Sequence, residues 1–298
     1  MNIFGINSIK HIFLLILLFV SGVNITYKIG NSIQEQATES WIVFGRHDAR
    51  QLTKVFISWF DQVYTPVRSM AVLLQNSTTL TTDEFQKAAN QLEAYQGRYF
   101  PEALLYLNRN NDSDWVIKRV TKNGLSLDAG QTLAHLPGAS DAINSAYNRR
   151  GEMMLSPTDQ FGPDGKYYAF AALSVNTNDE TGIILGVLDV DVIDKHMQQE
   201  VPYGMGFGIA SRHESGVETE ARDHLYPERE SAANAVAKYQ ISTVSGNTVF
   251  TFHWGITNSY RGGPSDILSR IIRLIGVILT LLITIIFGVL LARDAKAQ

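Results

Sequence analysis

The chain has 298 residues, no cysteine and a formal net charge of −4. Without cysteine there is no disulfide framework and no thiol chemistry, so any exported part must be held by its core alone. The near-balanced charge carries no electrostatic footprint for a polyanion, and nucleic acid is not an expected partner.

Residues 1–10 read as a short tail ending in Lys10. His11–Tyr27 (HIFLLILLFVSGVNITY) is apolar up to Val23 and is followed by Lys28. Val20-Ser21-Gly22 is a passable signal-peptide cleavage site. The polar chain continues past it in helical style with no new start signal, so residues 11–28 are read as an uncleaved first transmembrane helix.

Residues 29–97 read as a stalk and a second helix. Leu52, Phe56, Trp59, Val63, Val67, Met70 and Leu74 recur at steps of three and four and make one apolar stripe. Pro66 falls inside it and is expected to kink the helix. The stripe serves either packing on its own domain or pairing with the same helix of a second chain, and a homodimer through the stalk and transmembrane helices is expected. Thr81 with Glu84 three residues later makes a capping box. The second helix then runs to about Tyr95, with Phe85, Ala88, Leu92 and Tyr95 on one side.

From residue 98 the hydrophobic period shifts from that of a helix to that of strands. Ala103–Asn108 and Trp115–Thr121 read as strands joined by a turn at Asn110-Asn111-Asp112-Ser113. Pro137–Asn148 reads as a helix and Glu152–Ser156 as a short strand. A turn at Phe161-Gly162-Pro163-Asp164-Gly165 leads into the aromatic strand Tyr167–Val175. A further turn over Asn176–Gly182 leads into Ile183–Val190, and Val192–Gln199 reads as a helix. Residues 98–200 are therefore one α+β unit with an antiparallel sheet. Residues 201–266 form a smaller one: strands at Gly204–Ser211, Tyr239–Val244 and Thr248–Ile256, turns at His213–Gly216 and Ser245-Gly246-Asn247, and a link over Asn258–Asp266. The glycines from Gly204 to Gly208 mark close packing within a strand rather than a phosphate cradle.

Residues 267–292 close the exported region as a second transmembrane helix. Its Leu274–Ala292 stretch has 19 residues without a charge, ~28 Å of helix at ~1.5 Å per residue, which matches a bilayer core. Thr280 and Thr284 can bond back to their own helix. Lys10, Arg293 and Lys296 flank the two spans on their short sides. Both termini are therefore expected in the cytoplasm, with about 240 residues exported to the periplasm or beyond. Residues 293–298 read as the start of a cytoplasmic signalling helix.

Motifs for catalysis are absent: there is no HExxH, GxSxG, P-loop or GxGxxG after a strand. Beyond His11 in the first apolar run, the histidines His47, His135, His196, His213, His224 and His253 show no ligand-pair spacing, so no metal is expected. No catalytic residue or cofactor is assigned. Recognition of a small molecule is the expected chemistry. It needs a concave apolar pocket with a few fixed polar groups. Tyr106, Trp115, Tyr168, Phe170, Ala172 and Asp189 are the candidates in the larger unit. By strand alternation Tyr168, Phe170 and Ala172 share one face, and Tyr167, Ala169 and Ala171 the other. Large beside small leaves room for a ligand; filling the core is the other use of these aromatics. Asp191, with Asp194 three residues on, is expected to cap the following helix. That leaves Asp189 to hold a polar group of a ligand, or to face solvent.

The order of parts resembles the CHASE extracellular sensor domains of bacterial membrane receptors. The resemblance rests on Thr81-Thr82-Asp83-Glu84-Phe85, on Phe100-Pro101-Glu102-Ala103-Leu104-Leu105-Tyr106-Leu107-Asn108, and on Gly186-Val187-Leu188-Asp189-Val190, between two spans. Glu102 departs from the glycine usual after Phe-Pro in that family. The resemblance implies two PAS-like antiparallel-sheet units on a long stalk helix, a ligand in the membrane-distal unit, and a cytoplasmic histidine kinase or nucleotide or diguanylate cyclase beyond Gln298. The alternatives are a membrane-anchored exported enzyme and a ligand-free structural anchor or adaptor.

Overall fold

A computed structural model describes residues 4–77, 80–97, 100–110, 114–121, 125, 127–133, 138–156, 160–161, 165–177, 180–213, 235–245 and 248–297. The expected helix start at Pro137 falls outside them. So do most residues of the expected turns at 110–113, 161–165, 213–216 and 245–247. By internal contacts the chain divides into two units, residues 47–260 and residues 1–46 with 261–298.

In the second of these, α1 (Phe4–Asn76) contributes its apolar first part, and α5 (Ile267–Ala297) is its partner. Both helices are long and apolar enough to cross a membrane. Residues such as Phe13, Ile16, Leu17, Leu274, Ile278 and Ile286 leave their side chains exposed. The two helices pack antiparallel through small residues. A Cβ added at Gly22 would strike Thr280, and one added at Gly276 would strike Thr26. Glycine against a β-branched residue, repeated in both directions, brings two helices close without needing a hydrophobic effect between them. Thr26, Thr280 and Thr284 each donate a hydroxyl to the carbonyl four residues back, at 2.9, 2.7 and 2.8 Å, which satisfies those hydroxyls within an apolar helix.

In residues 47–260 the later part of α1 is the surface on which two sheets are laid. The helix runs on through Pro66 to Asn76 without a break. After it, α2 (Thr82–Gln96) starts at the capping box. The Thr81 N–H donates to Glu84 Oε2 at 2.8 Å, and the Glu84 N–H donates to Thr81 Oγ1 at 3.3 Å. Phe85 and Ala89 of α2 are buried, whereas Tyr95 is 90 % exposed. Ala88 and Leu92 pack against the same core, and Tyr95 does not share their side.

The larger sheet contains β1 (Ala103–Arg109), β2 (Trp115–Val120), β3 (Met154–Leu155), β4 (Gln160–Phe161), β5 (Tyr167–Asn176) and β6 (Thr181–Asp189). Its order is β2-β1-β6-β5-β3, antiparallel throughout, with β4 also on β5. The sheet separates two cores. One face carries Leu104, Tyr106, Ala169, Ala171, Val175 and Ile184 onto Val63, Val67, Met70 and Leu74 of α1 and Phe85 of α2. Gly186 lets α1 approach, since a Cβ there would lie 2.7 Å from Val67 Cγ2. Tyr64 is fully buried in the same core, and burial pushes its hydroxyl well above the usual tyrosine range. The other face carries Leu105, Leu107, Tyr168, Phe170 and Val187 onto α3 (Ala139–Asn148), through Ala139, Ala142, Ile143 and Ala146.

From β6 the chain passes through α4 (Val190–Glu200) into the smaller sheet, β7 (Met205–His213), β8 (Ala237–Ser245) and β9 (Thr248–Ile256), ordered β7-β9-β8. Its aromatics stack on α1: Phe56 lies 5.8 Å from Trp254 and 5.3 Å from Phe207, and Phe60 lies 4.8 Å from Phe250. The Trp254 indole N–H donates to Thr53 Oγ1 at 2.9 Å, and the Tyr260 hydroxyl donates to Asp48 Oδ2 at 2.6 Å. Of the glycines there, Gly204 (φ +80°) precedes the strand and abuts the backbone of Ser259 and Tyr260. Gly208 faces open space, so close packing explains Gly204 and not Gly208.

The stripe expected to extend to a second chain is covered by this chain's own sheets. Phe56, Val63, Val67, Met70 and Leu74 are 0–4 % exposed. Two sheets, rather than one, use the helix as a floor, and this consumes its apolar length.

Candidate ligand-binding site

Alternation along β5 places Tyr168, Phe170 and Ala172 together on the α3 face and Ala169 and Ala171 on the α1 face, the division read from the sequence. Tyr168, Phe170 and Ala172 are at most 1 % exposed. They pack under the alanine-rich side of α3, which lets the helix come down onto the rings. Asp189 is paired with Tyr168 in register, so it opens on the same face. Tyr106 does not. It lies on the α1 face, with its ring edge and hydroxyl filling the space a Cβ at Gly182 would take, and Arg119 stands 5.5 Å from its ring centre.

Trp115 shares the α3 face but not the position. It pairs with Arg109, while Ala103, at the other end of β1, pairs with Val187. Six residues along β1 and two along β6 separate Trp115 from Asp189, about 26 Å at ~3.3 Å per residue. One small molecule does not reach both. At the Trp115 end the indole N–H donates to Asn144 Oδ1 at 3.2 Å, and Tyr147 meets the indole edge-on at 5.5 Å. Arg109 lies 5.0 Å from the Trp115 ring centre and 4.4 Å from that of Tyr147.

At the other end Asp189 is 8 % exposed. Its Oδ1 accepts the Val192 N–H at 3.1 Å and its Oδ2 accepts Lys166 Nζ at 3.0 Å. The N-cap of α4 is thus Asp189, and Asp191 sits exposed in the first turn. The helix begins at Val190, two residues before the expected Val192, since β6 runs into it without a loop, and the cap moves back with it. Lys166 is half exposed beside the buried carboxylate. Ser156, buried on the same side, accepts the Phe170 N–H at 2.9 Å. At this end of the sheet the half-exposed Lys166 ammonium thus meets the buried Asp189 carboxylate beside the buried residue Tyr168.

Lys166, Arg109, Asn144 and Tyr147 were not among the sequence candidates. Lys166 was recognisable once β5 and β6 were paired, because it precedes the strand opposite Asp189. The other three needed the placement of α3 over β1 and β2. A separate narrow apolar cleft lies between Phe56, Trp59 and Phe60 of α1 and His196 and Met197 of α4. Among the described residues no group of three or more metal-ligating side chains occurs.

No protein-family model matches the sequence, and no curated protein matches it. Among solved structures, similar ones include an extracellular ligand-binding receptor from Desulfohalobium retbaense, 12 % identical over 69 % of this chain, with TM-score 0.46. The match spans 38 % of that receptor's length. The sensory domain of the Campylobacter jejuni chemoreceptor Tlp3 is 10 % identical, with 74 % and 95 % of the two chains covered and TM-score 0.44. A methyl-accepting chemotaxis protein X is also 10 % identical, with 76 % and 99 % covered and TM-score 0.46.

Proposed function

We propose that the chain is the sensor part of a two-pass membrane receptor, which takes a small polar molecule at the Tyr168–Asp189–Lys166 corner and signals through its two apolar helices to a cytoplasmic effector. The observation that carries this is continuity. The helix that floors both sheets is the helix whose first part is apolar enough to span a bilayer, and the last strand leads through a short link into the second such helix. A domain entered and left through spans is built to connect its interior to the membrane. The resemblance to CHASE sensors supports the same reading, with the larger sheet as the membrane-distal PAS-like unit. On this reading the chain carries no enzymatic activity of its own, and the output belongs to a kinase or cyclase.

The corner suits a ligand carrying both charges. An ammonium on the ligand replaces Lys166 at Asp189, and the released Lys166 takes a carboxylate or phosphate. The receptor acts as a homodimer through the outward face of α1. Gln51, Val55, Ser58, Gln62, Thr65, Ser69, Val72 and Asn76 recur there at steps of four and three without a charge.

The test is a thermal-shift panel of amino acids, amines and small carboxylates on the full chain in detergent. A zwitterionic compound should raise the unfolding temperature of the wild type but not of Lys166→Ala. No response to any compound, or an undiminished response in Lys166→Ala, removes the corner as the site.

A further inference from the structure

Where the apolar run of α5 begins, Arg273 lies against α1 with no carboxylate to meet it. Its Nη2 donates to the neutral Asn31 Oδ1 at 2.8 Å, and its Cζ stands 5.9 Å from the Tyr27 ring centre. Its stem fills the notch at Gly30, where a Cβ would lie 2.6 Å from Arg273 Cγ. Among the described residues Arg273 makes no ion pair, and the nearby Asp266 is taken by Arg270. Three buried polar atoms in this layer have no hydrogen-bond partner among the described residues: Arg273 Nε, Ser269 Oγ and Gln34 Oε1. Ser269 is only 1 % exposed. The pairing of Gly22 with Thr280, Gly276 with Thr26 and Gly30 with Arg273 puts Gln34 level with Ser269 one turn further on, so the three atoms belong to one place.

A guanidinium at the edge of a hydrocarbon layer without a counter-ion is unfavourable. The anion that such a layer supplies is the phosphodiester of a lipid headgroup, which matches the fork of an arginine. Ser269 adds a hydroxyl donor, and the Gln34 amide, turned over, adds an N–H. We propose that Arg273, Ser269 and Gln34 form a binding site for the phosphate of a membrane lipid, held in the seam between α1 and α5. The lipid is then a specific ligand of the helix pair as well as its solvent. This rests on the reading of α1 and α5 as membrane spans.

The full chain, purified in a neutral detergent, is titrated with dioleoylphosphatidylglycerol and its bound lipids are counted by native mass spectrometry. Wild type should retain one lipid. Arg273→Gln should need about ten-fold more lipid for the same occupancy, the loss of one charge-assisted pair. Ser269→Ala should fall between them, and Arg293→Gln, at the other end of α5, should match wild type. Dioleoylglycerol, with the same chains and no phosphate, should not be retained. Circular dichroism checks that each variant keeps its helices; if Arg273→Gln unfolds, Ser269→Ala reads the same site. Equal retention by wild type and the folded site variants overturns the proposal, as does retention of dioleoylglycerol. Displacement of the lipid by millimolar inorganic phosphate also overturns it, in favour of a free-anion site. A wild-type chain that stays monodisperse without detergent and does not float with vesicles refutes the spans themselves, a different failure from floating with no lipid retained.

Discussion

Asp189 is read differently once its partners are known. A carboxylate at the end of an apolar strand invites a ligand, but here one oxygen caps α4 and the other holds Lys166. Replacing Asp189 by Ala removes the cap, which costs about 1 kcal/mol and at most about 2. Asp189→Asn keeps a capping side chain and loses only an ion pair to a half-exposed lysine, worth about 0–1 kcal/mol. Chemical denaturation should therefore rank wild type and Asp189→Asn close together and Asp189→Ala clearly below. Equal stability of all three means the cap contributes nothing. Glu84 gives a pH test. The Thr81 backbone N–H, and then its hydroxyl, hold the Glu84 carboxyl below its ordinary range. A group depressed on folding adds stability above its unfolded value and loses it as pH falls through the folded one. Amide exchange at the start of α2 should thus speed up as pH drops from about 5 to about 3, after correction for intrinsic rates. In Glu84→Gln the corrected protection should stay flat over the same range.

The elements show how one helix serves two purposes at once. The side of α1 with Phe56, Val63, Val67 and Met70 is spent on the chain's own sheets. On the opposite side Gln51, Val55, Ser58, Gln62 and Thr65 are exposed, uncharged and spaced for a partner helix, with the exposed Lys54, Asp61 and Arg68 flanking them. Single cysteines in this cysteine-free chain separate the two sides. Positions 51, 55, 58, 62 and 65 should form disulfide-linked dimers under mild oxidation, while 56 and 63 should not. Cross-linking that ignores the helical period, or none at any site, rules out pairing through this face. The aromatic stack of Phe56, Phe207 and Trp254, with the buried Trp254–Thr53 bond, ties the smaller sheet to the same helix.

For the whole molecule, the two apolar helices are the ends of a single path through residues 47–260. With Lys10 before the first and Arg293 after the second, both termini are expected on the cytoplasmic side. A reporter that works only in the cytoplasm should be active when fused after Gln298 and inactive when inserted in the β8–β9 turn. The reverse pattern inverts the topology.

Local physics was legible in the residues themselves. The capping box at Thr81 and Glu84, the alternation of Tyr168, Phe170 and Ala172 against Ala169 and Ala171, and the two charge-free runs each depend on neighbours within a few positions. Such neighbours set helix starts, strand faces and solvent preference directly. What depended on distant parts was decided only by the fold. Which residue caps α4 turned on β6 running into it without a loop. The separation of Trp115 from Asp189 by the length of β1, and of Tyr106 onto the other face, came from strand register. The use of the stalk stripe by the chain's own sheets came from two sheets sharing one helix. Contacts between residues far apart in the chain are set by packing and pairing across the whole core, and a periodic pattern says which side is apolar without saying what will cover it.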